Sequence, residues 1–138
     1  MIYLGTYSTS GITIDGLVFR NANATRLAAS TDPFESTIIN ANTFSNYIQR
    51  RVAGALYIQQ GLNCYFNNIV FEDNDCENRG AGIYINGGFG LTCSYYVTNS
   101  YFVNNFISQS TYGVMSNEHG NIYCYNTVFH NNRVGNFQ

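Results

Sequence analysis

Acidic side chains cluster in one stretch of the chain, directly after Phe71. Glu72, Asp73, Asp75 and Glu77 lie there, and carboxylate oxygens at such density could coordinate a calcium ion. Side chains alternate along a strand, so Glu72 and Asp73 would point to opposite sides unless the chain bends between them. A solvated acidic turn is therefore the favoured interpretation, with a metal site as the alternative.

General acid and base catalysis is the other chemistry that carboxylates could support. Hydrolysis of a glycoside needs two carboxyl groups about 5–10 Å apart, and the chain has no second acidic cluster to supply the partner. His119 follows Glu118 in a segment bounded by glycine, and His130 precedes two asparagines. We therefore predict no catalytic residue and no cofactor in this chain.

The four cysteines show no CxxC spacing, which argues against a zinc or redox site. Cys64, Cys93 and Cys124 each follow a glycine by three or four residues, so they are predicted to occupy nearly the same place in successive repeats. Neighbouring strands would bring their Cα atoms to about 4.8 Å, which a disulfide tolerates. A Cys64–Cys93 disulfide and buried free thiols are both compatible with this arrangement.

Two features are predicted to face outward. Asn23 begins an N-glycosylation sequon in the segment 21–35, which is predicted to form a protruding loop. Tyr57, Tyr84 and Met115 are predicted to align on the solvent side of one strand, where an aromatic stripe could bind a glycan or another molecule. Ordinary outward-facing β-formers are the favoured interpretation of that stripe.

The segments around these residues are imperfect copies of one unit. The unit contains an apolar strand centred on a phenylalanine, an asparagine two or three residues later, and a second strand led by alanine or glycine. The intervals between the phenylalanines are 25, 27, 31 and 27 residues (44−19, 71−44, 102−71, 129−102). Such a fixed period indicates a repeat architecture, in which each unit buries its apolar face against its neighbours. The phenylalanines are Phe19, Phe44, Phe71, Phe102 and Phe129.

The repeat predicts an all-β fold. Helix formers are scarce and apolar positions alternate with a period of two, as at Ile83 and Ile85. A unit of this length holds three short strands and three turns, which is a parallel β-helix. Asp15-Gly16 could instead form a hairpin turn, but its alignment with Asn67 favours a corner. We predict one segment over 1–138 of about five coils without evident caps, near 1–35, 36–60, 61–90, 91–119 and an incomplete 120–138.

Composition excludes two classes of partner. Charged residues make up 10% of the 138 residues and the formal net charge is −2, so no electrostatic footprint for nucleic acid or an anionic membrane is present. The apolar fraction of 45% and the aromatic fraction of 16% are sufficient for a core. The apolar runs are too short for a membrane-spanning helix, which needs roughly 20 residues.

The motifs VFEDN with AGIYI, YFVNN with YGVMS, and VFHNN resemble the right-handed parallel β-helix (pectin-lyase-like) superfamily, in particular the Asn-rich repeats of surface and adhesin-type proteins. The resemblance covers about residues 11–138. It implies that turn asparagines stack into a ladder whose amides hydrogen-bond from coil to coil, which here would comprise Asn46, Asn74, Asn105 and Asn132. The five phenylalanines are likewise expected to stack in the core.

The superfamily includes pectate lyases and polygalacturonases as well as adhesins, so its fold assigns no reaction. From these observations we expect a non-catalytic structural or adhesive element located outside the cell or at its surface. Its partners would be further copies stacked end to end, adjoining coils of a longer chain, or glycans. A carbohydrate-active fragment, a lyase or hydrolase with catalytic residues outside this segment, is the alternative.

Overall fold

The structure is a computed structural model that describes residues 2–4, 12–24, 54–59, 63–77, 79–86, 94–108 and 113–135. Every regular element in these ranges is a β-strand, and most strands have two to four residues. They are β1 (Ile2–Leu4), β2 (Ile12–Asp15), β3 (Val18–Arg20), β4 (Asn23–Ala24), β5 (Leu56–Gln59), β6 (Cys64–Asn67), β7 (Val70–Glu72), β8 (Asp75–Cys76), β9 (Ile83–Asn86), β10 (Ser94–Thr98), β11 (Tyr101–Val103), β12 (Phe106–Ile107), β13 (Met115–Asn117), β14 (Asn121–Tyr125), β15 (Val128–His130) and β16 (Arg133–Val134).

The described strands form four parallel sheets, and each sheet takes every fourth described strand. Sheet 1 has the order β1-β5-β9-β13, and sheet 2 has the order β14-β10-β6-β2. Sheet 3 is β15-β11-β7-β3 and sheet 4 is β16-β12-β8-β4. The strands therefore fall into four levels, β1–β4, β5–β8, β9–β12 and β13–β16, and levels 1 and 4 supply the edge strands of all four sheets.

Alternation of side chains along the strands produces the core. In β6, Cys64 and Phe66 are buried while Tyr65 between them is exposed, and β10 repeats this pattern with Tyr95 and Val97 buried. Burial of one large apolar side chain is worth about 1.5–3 kcal/mol. The core cluster also contains aliphatic side chains of β5, β9 and β12 and of the turn between β6 and β7, which are Leu56, Ile58, Ile83, Ile85, Ile107 and Ile69.

The phenylalanines of sheet 3 form one continuous stack. Ring centroids are 5.0 Å apart between Phe19 and Phe71, 4.7 Å between Phe71 and Phe102, and 4.8 Å between Phe102 and Phe129. This separation follows from the spacing of neighbouring strands, about 4.7–4.9 Å. Aromatic contacts of this kind add about 0.5–1.5 kcal/mol per pair beyond burial.

Phe44 was also predicted to belong to this stack. Phe19 pairs directly with Phe71 in the register of β3 and β7, although 52 residues separate them (71−19). Sheet 3 has no strand between β3 and β7. Phe44 itself lies outside the described residues.

The number of strands per repeat also differs from the prediction of three. Each described level contributes to four sheets, because a pair of residues after the phenylalanine strand adds β4, β8, β12 or β16. Two residues are too few to show alternation, so these strands have no periodicity in the sequence. Asp15-Gly16 forms a corner, as favoured, since β2 pairs in parallel with β6 and Asp15 lies opposite Asn67.

No helix occurs in the described ranges, and so none that is long and apolar enough to cross a membrane.

Candidate functional site

A column of asparagines runs through the interior at the turn that follows the phenylalanine strand. Asn74 and Asn105 are completely buried, and Asn132 follows them at level 4. Asn74 donates from both its backbone N and its Nδ2 to Oδ1 of Asn105, each at 3.0 Å. Asn105 donates in the same way to Oδ1 of Asn132, at 3.0 and 2.9 Å.

Each amide in this column also bonds the phenylalanine strand of the level before it. Nδ2 of Asn74 donates to the Phe19 carbonyl at 3.0 Å, and Nδ2 of Asn105 donates to the Phe71 carbonyl at 2.9 Å. Nδ2 of Asn132 donates to the Phe102 carbonyl at 2.8 Å. The donor and acceptor of one side chain therefore satisfy backbone groups that a turn would otherwise leave unpaired in the interior.

The left-handed conformation at this turn belongs to the residue before each ladder asparagine. Asn21, Asp73, Asn104 and Asn131 have φ between 51° and 56°. Asparagine and aspartate tolerate this region because their short polar side chains can bond locally. The left-handed backbone and the buried amide bonds therefore belong to neighbouring residues of the turn.

Asn46 was predicted to belong to the buried column, and it lies outside the described residues. Its spacing from Phe44 is two residues, whereas Asn74, Asn105 and Asn132 each follow their phenylalanine by three. The spacing of two is that of the left-handed position. At level 1, Ala22 occupies the place of the ladder residue, and its backbone N donates to Oδ1 of Asn74 at 3.0 Å.

A second ladder lies on the surface at the turn between sheets 2 and 3. Nδ2 of Asn67 donates to Asp15 at 3.0 Å, Nδ2 of Asn99 donates to Oδ1 of Asn67 at 2.9 Å, and Nδ2 of Asn126 donates to Oδ1 of Asn99 at 2.7 Å. Asn99 and Asn126 have φ of 51° and 49°. This ladder joins the levels through exposed side chains.

A tyrosine column on the outer face of sheet 2 is a feature that the sequence argument missed. Tyr65 stacks on Tyr96 with centroids 5.0 Å apart, and Tyr96 stacks on Tyr123 at 5.2 Å. The spacing could have revealed it, because each tyrosine precedes its phenylalanine by six residues (71−65, 102−96, 129−123). Within the column the ring faces are turned towards one another, and Tyr65 and Tyr123 at its two ends stay exposed.

The predicted solvent stripe of Tyr57, Tyr84 and Met115 is wrong. Tyr57 and Tyr84 stack at 5.3 Å, but they are 5% and 2% exposed and form a small cluster of their own. Met115 pairs with Ile83 rather than with Tyr84, and it packs against the main core. The Arg79 guanidinium lies 5.8 Å from the Tyr84 ring centroid and forms an ion pair with Glu118.

The acidic residues after Phe71 are distributed over different environments. Glu72 accepts a hydrogen bond from Nε of Arg20 at 2.8 Å, and Nη2 of Arg20 completes this ion pair. Asp73 occupies the exposed left-handed turn, and Glu77 is buried. Among the described residues, no group of three or more His, Cys, Asp or Glu side chains could hold a metal ion.

Asp75 is the acidic residue whose ionisation is perturbed. Burial raises the pKa of this carboxyl group above its usual value, the nearby Arg133 acts in the opposite direction, and the Asp73 charge raises the pKa further. Two carboxylates therefore lie close enough to interact beside an arginine.

The cysteines do not share one register. Cys64 pairs with Tyr95, whereas Cys124 pairs with Val97 and so lies two residues further along its strand. Cys93 lies outside the described residues, so the Cys64–Cys93 disulfide stays a prediction. Cys124 carries a free, exposed thiol whose pKa is raised by partial burial.

The remaining predicted site residues are dispersed. Asn23 of the sequon lies in β4 and pairs with Asp75, so it is in a strand rather than in the predicted protruding loop. His119 lies in the turn after β13, where its backbone N donates to Oδ1 of Asn117 at 3.2 Å. His130 is exposed on β15, opposite Val103.

The two ends of the sheets differ in how far their core positions are covered. Phe19 at level 1 is 9% exposed, whereas Phe129 at level 4 is 48% exposed. We call the level 4 surface the distal end; its exposed apolar side chains are Tyr123, Tyr125, Val128, Phe129 and Val134. The distal end is therefore the principal uncovered apolar surface of the described chain.

Comparison of the chain with protein-family models, with curated proteins and with solved structures gives no match.

Replacing Asn105 by alanine should lower the free energy of unfolding much more than the same change at Asn63. Asn105→Ala leaves the N–H of Asn74 and the carbonyl of Phe71 unpaired in the interior, at about 1–3 kcal/mol for each group. Asn63 is exposed and its Oδ1 accepts one bond from Ser94, at 2.9 Å, so Asn63→Ala should cost roughly 1 kcal/mol or less. Urea unfolding, followed by circular dichroism, measures the free energy of unfolding of both variants. Equal losses in the two variants would contradict the stabilising role of the buried asparagine column.

Asp75 should make stability fall as pH rises above the usual aspartate pKa of about 3.9. Its raised pKa means that the folded protein retains a proton that the unfolded chain has released, so ionisation favours unfolding. Asp75→Asn removes this titration. The unfolding free energy of the variant minus that of the wild type should therefore grow as the pH rises through the usual aspartate pKa. Asp73→Asn should lower the pKa of Asp75, so the loss of stability with rising pH should be complete at a lower pH than in the wild type. If the difference in unfolding free energy between Asp75→Asn and the wild type shrinks as the pH rises, this assignment is contradicted.

Proposed function

We propose that the chain is a right-handed parallel β-helix of the pectin-lyase-like type that acts outside the cell as a rigid, non-catalytic structural or adhesive element. Parallel sheets that each take every fourth strand support the helical path. Parallel strands joined by crossovers are right-handed in nearly all proteins, which supports the hand. Each level then buries its apolar face only against the levels next to it.

The observation that carries this proposal is the use of side chains to join level to level. The buried asparagines bond one another and the phenylalanine strand, and the aromatic columns stack on themselves. Buried polar groups that are fully paired with each other rigidify a structure. They are also not available to orient a substrate, so the arrangement favours a mechanical role over a chemical one.

Ion pairs contribute to the same joining of levels. Arg20 at level 1 binds Glu72 at level 2, and Arg79 before β9 binds Glu118 after β13. All four side chains retain part of their exposure, so each pair adds at most about 1 kcal/mol. In the described chain, two positive and two negative side chains are thus held next to each other across levels.

The distal end supports attachment as part of this function. Its strands are the edges of four sheets, and an exposed edge accepts a further strand. A second copy or an adjoining repeat of a longer surface protein would cover Phe129 and continue the columns. A rigid element that presents strand edges at its distal end is suited to linking larger assemblies.

A carbohydrate-active function is the second candidate, and one observation favours it. Asp73 and Asp75 interact, and the pKa of Asp75 is raised, as is common for catalytic acids. Retaining and inverting glycosidases both use a pair of carboxyl groups with an acid of raised pKa. Asp73 is exposed in a turn and Asp75 is half-buried, so the pair would have to act on a substrate at the surface.

Protease treatment of intact cells that produce the protein tests its location and role. We expect a protease added outside the cells to remove the protein before any intracellular marker is cut. Protection of the chain until the cells are permeabilised would contradict an extracellular structural function.

Assays on purified protein separate the structural proposal from the enzymatic one. We expect the wild type to release no reducing ends and no unsaturated products from neutral or uronate polysaccharides, at the same background as Asp75→Asn. Release by the wild type that disappears in Asp75→Asn, with folding retained by circular dichroism, would replace the structural proposal with the carbohydrate-active one.

A further inference from the structure

The distal end carries an edge strand that lacks the usual protection against pairing. β14 is the edge of sheet 2 and has the sequence Asn-Ile-Tyr-Cys-Tyr, without a charged residue or a proline. Proteins normally protect edge strands with charges, proline, bulges or a covering segment. With five residues, β14 is also the longest edge strand of the described chain. Its outer face, formed by Asn121, Tyr123 and Tyr125, is uncharged and largely aromatic. Its free edge is therefore a template for another strand.

We infer that a second copy of this chain covers the distal end, forming a two-fold dimer in which β14 pairs antiparallel with β14 of the second copy. This inference rests on the proposed β-helical structural function and names the partner of its open end. A two-fold interface uses the same surface on both subunits, and such dimers are the commonest protein oligomers.

The difference between the two ends favours this arrangement over a head-to-tail filament. A filament requires the distal end of one copy to cover the level 1 end of the next. Phe19, which would have to receive Phe129, is only 9% exposed, whereas Phe129 is 48% exposed. The distal end of a second copy, in contrast, exposes its apolar side chains to the same extent and can therefore serve as the partner surface.

The sequence of β14 fits antiparallel pairing centred on Tyr123. Residues opposite each other in an antiparallel pair lie on the same face of the sheet. Pairing Tyr123 with Tyr123 of the second copy places Ile122 opposite Cys124, two residues that both lie on the core face. Asn121 then lies opposite Tyr125 on the outer face. In this register, every core-facing residue of β14 lies opposite a core-facing residue, and every outward-facing residue lies opposite an outward-facing one.

The same register continues the tyrosine column through the interface. Tyr65, Tyr96 and Tyr123 stack at the spacing of one strand, so Tyr123 would meet Tyr123 of the second copy at the next strand position. Six tyrosines would then form one row across the dimer. Cross-strand aromatic pairs stabilise a sheet, and the pairing also removes the exposed thiol of Cys124 from solvent.

Charge substitutions at Tyr123 provide a specific test, because the two-fold axis brings this position against itself. Sedimentation equilibrium under reducing conditions should show a dimer for the wild type. Tyr123→Lys alone and Tyr123→Glu alone should each weaken the dimer by about fivefold or more, since like charges oppose each other across the strands. An equimolar mixture of Tyr123→Lys and Tyr123→Glu should recover a dimer by pairing opposite charges.

Tyr65→Lys is the matched control. It removes a tyrosine from the same column, also exposed and stacked on Tyr96, but lies two levels from the distal end. It should dimerise as the wild type does. Labelling of the Cys124 thiol, assigned by comparison with Cys124→Ala, should slow as the wild-type protein concentration rises and should not slow for Tyr123→Lys.

Four outcomes would overturn the inference. They are a wild type that stays monomeric, a mass that keeps growing with concentration as in a filament, a mixture that fails to recover the dimer, and equal weakening by Tyr65→Lys. Circular dichroism and cooperative unfolding, measured on the same samples, distinguish a failure of the dimer from a failure of the proposed function. A folded monomer overturns the dimer alone, whereas a wild type without β-structure overturns the β-helix as well.

Discussion

The structure depends on the need to pair buried amide groups at one turn. Where the chain turns after the phenylalanine strand, backbone N–H and C=O groups face the interior, and an unpaired group there costs about 1–3 kcal/mol. The side chains of Asn74 and Asn105 supply both a donor and an acceptor at that point. Because each amide bonds the levels on either side of it, the pairing of one turn fixes the register of its neighbours.

The aromatic columns follow from this register. Once the turns align, residues at equal distances from them fall on neighbouring strands about 4.8 Å apart, and like side chains stack. Phenylalanine fills the interior column and tyrosine the outer one, with ring separations between 4.7 and 5.2 Å. The same logic defines the distal end, where Asn132, Phe129 and Tyr123 are the last described members of three columns. Each column ends on a group that another strand could cover.

Much of this arrangement could be predicted from spacing. The phenylalanine period and the alternation in β6 and β10 were sufficient to predict parallel strands and a stack of Phe71, Phe102 and Phe129. Spacing failed where an element was too short to show a period, as for Asp75–Cys76 in β8. For Tyr57 and Tyr84, alternation predicted correctly that they lie away from the main core, but it contains no information about what buries that face.

The central claim is that side-chain amides of successive levels bond one another inside the protein, and nuclear Overhauser spectroscopy of the uniformly ¹⁵N-labelled protein tests it most directly. The Nδ2 protons of Asn105 should give cross-peaks to the Asn74 amide protons and to Asn132, residues 31 and 27 positions away, and should exchange slowly with D2O. Cross-peaks restricted to residues close in sequence, together with rapid exchange of the Asn105 side-chain amide, would contradict the account.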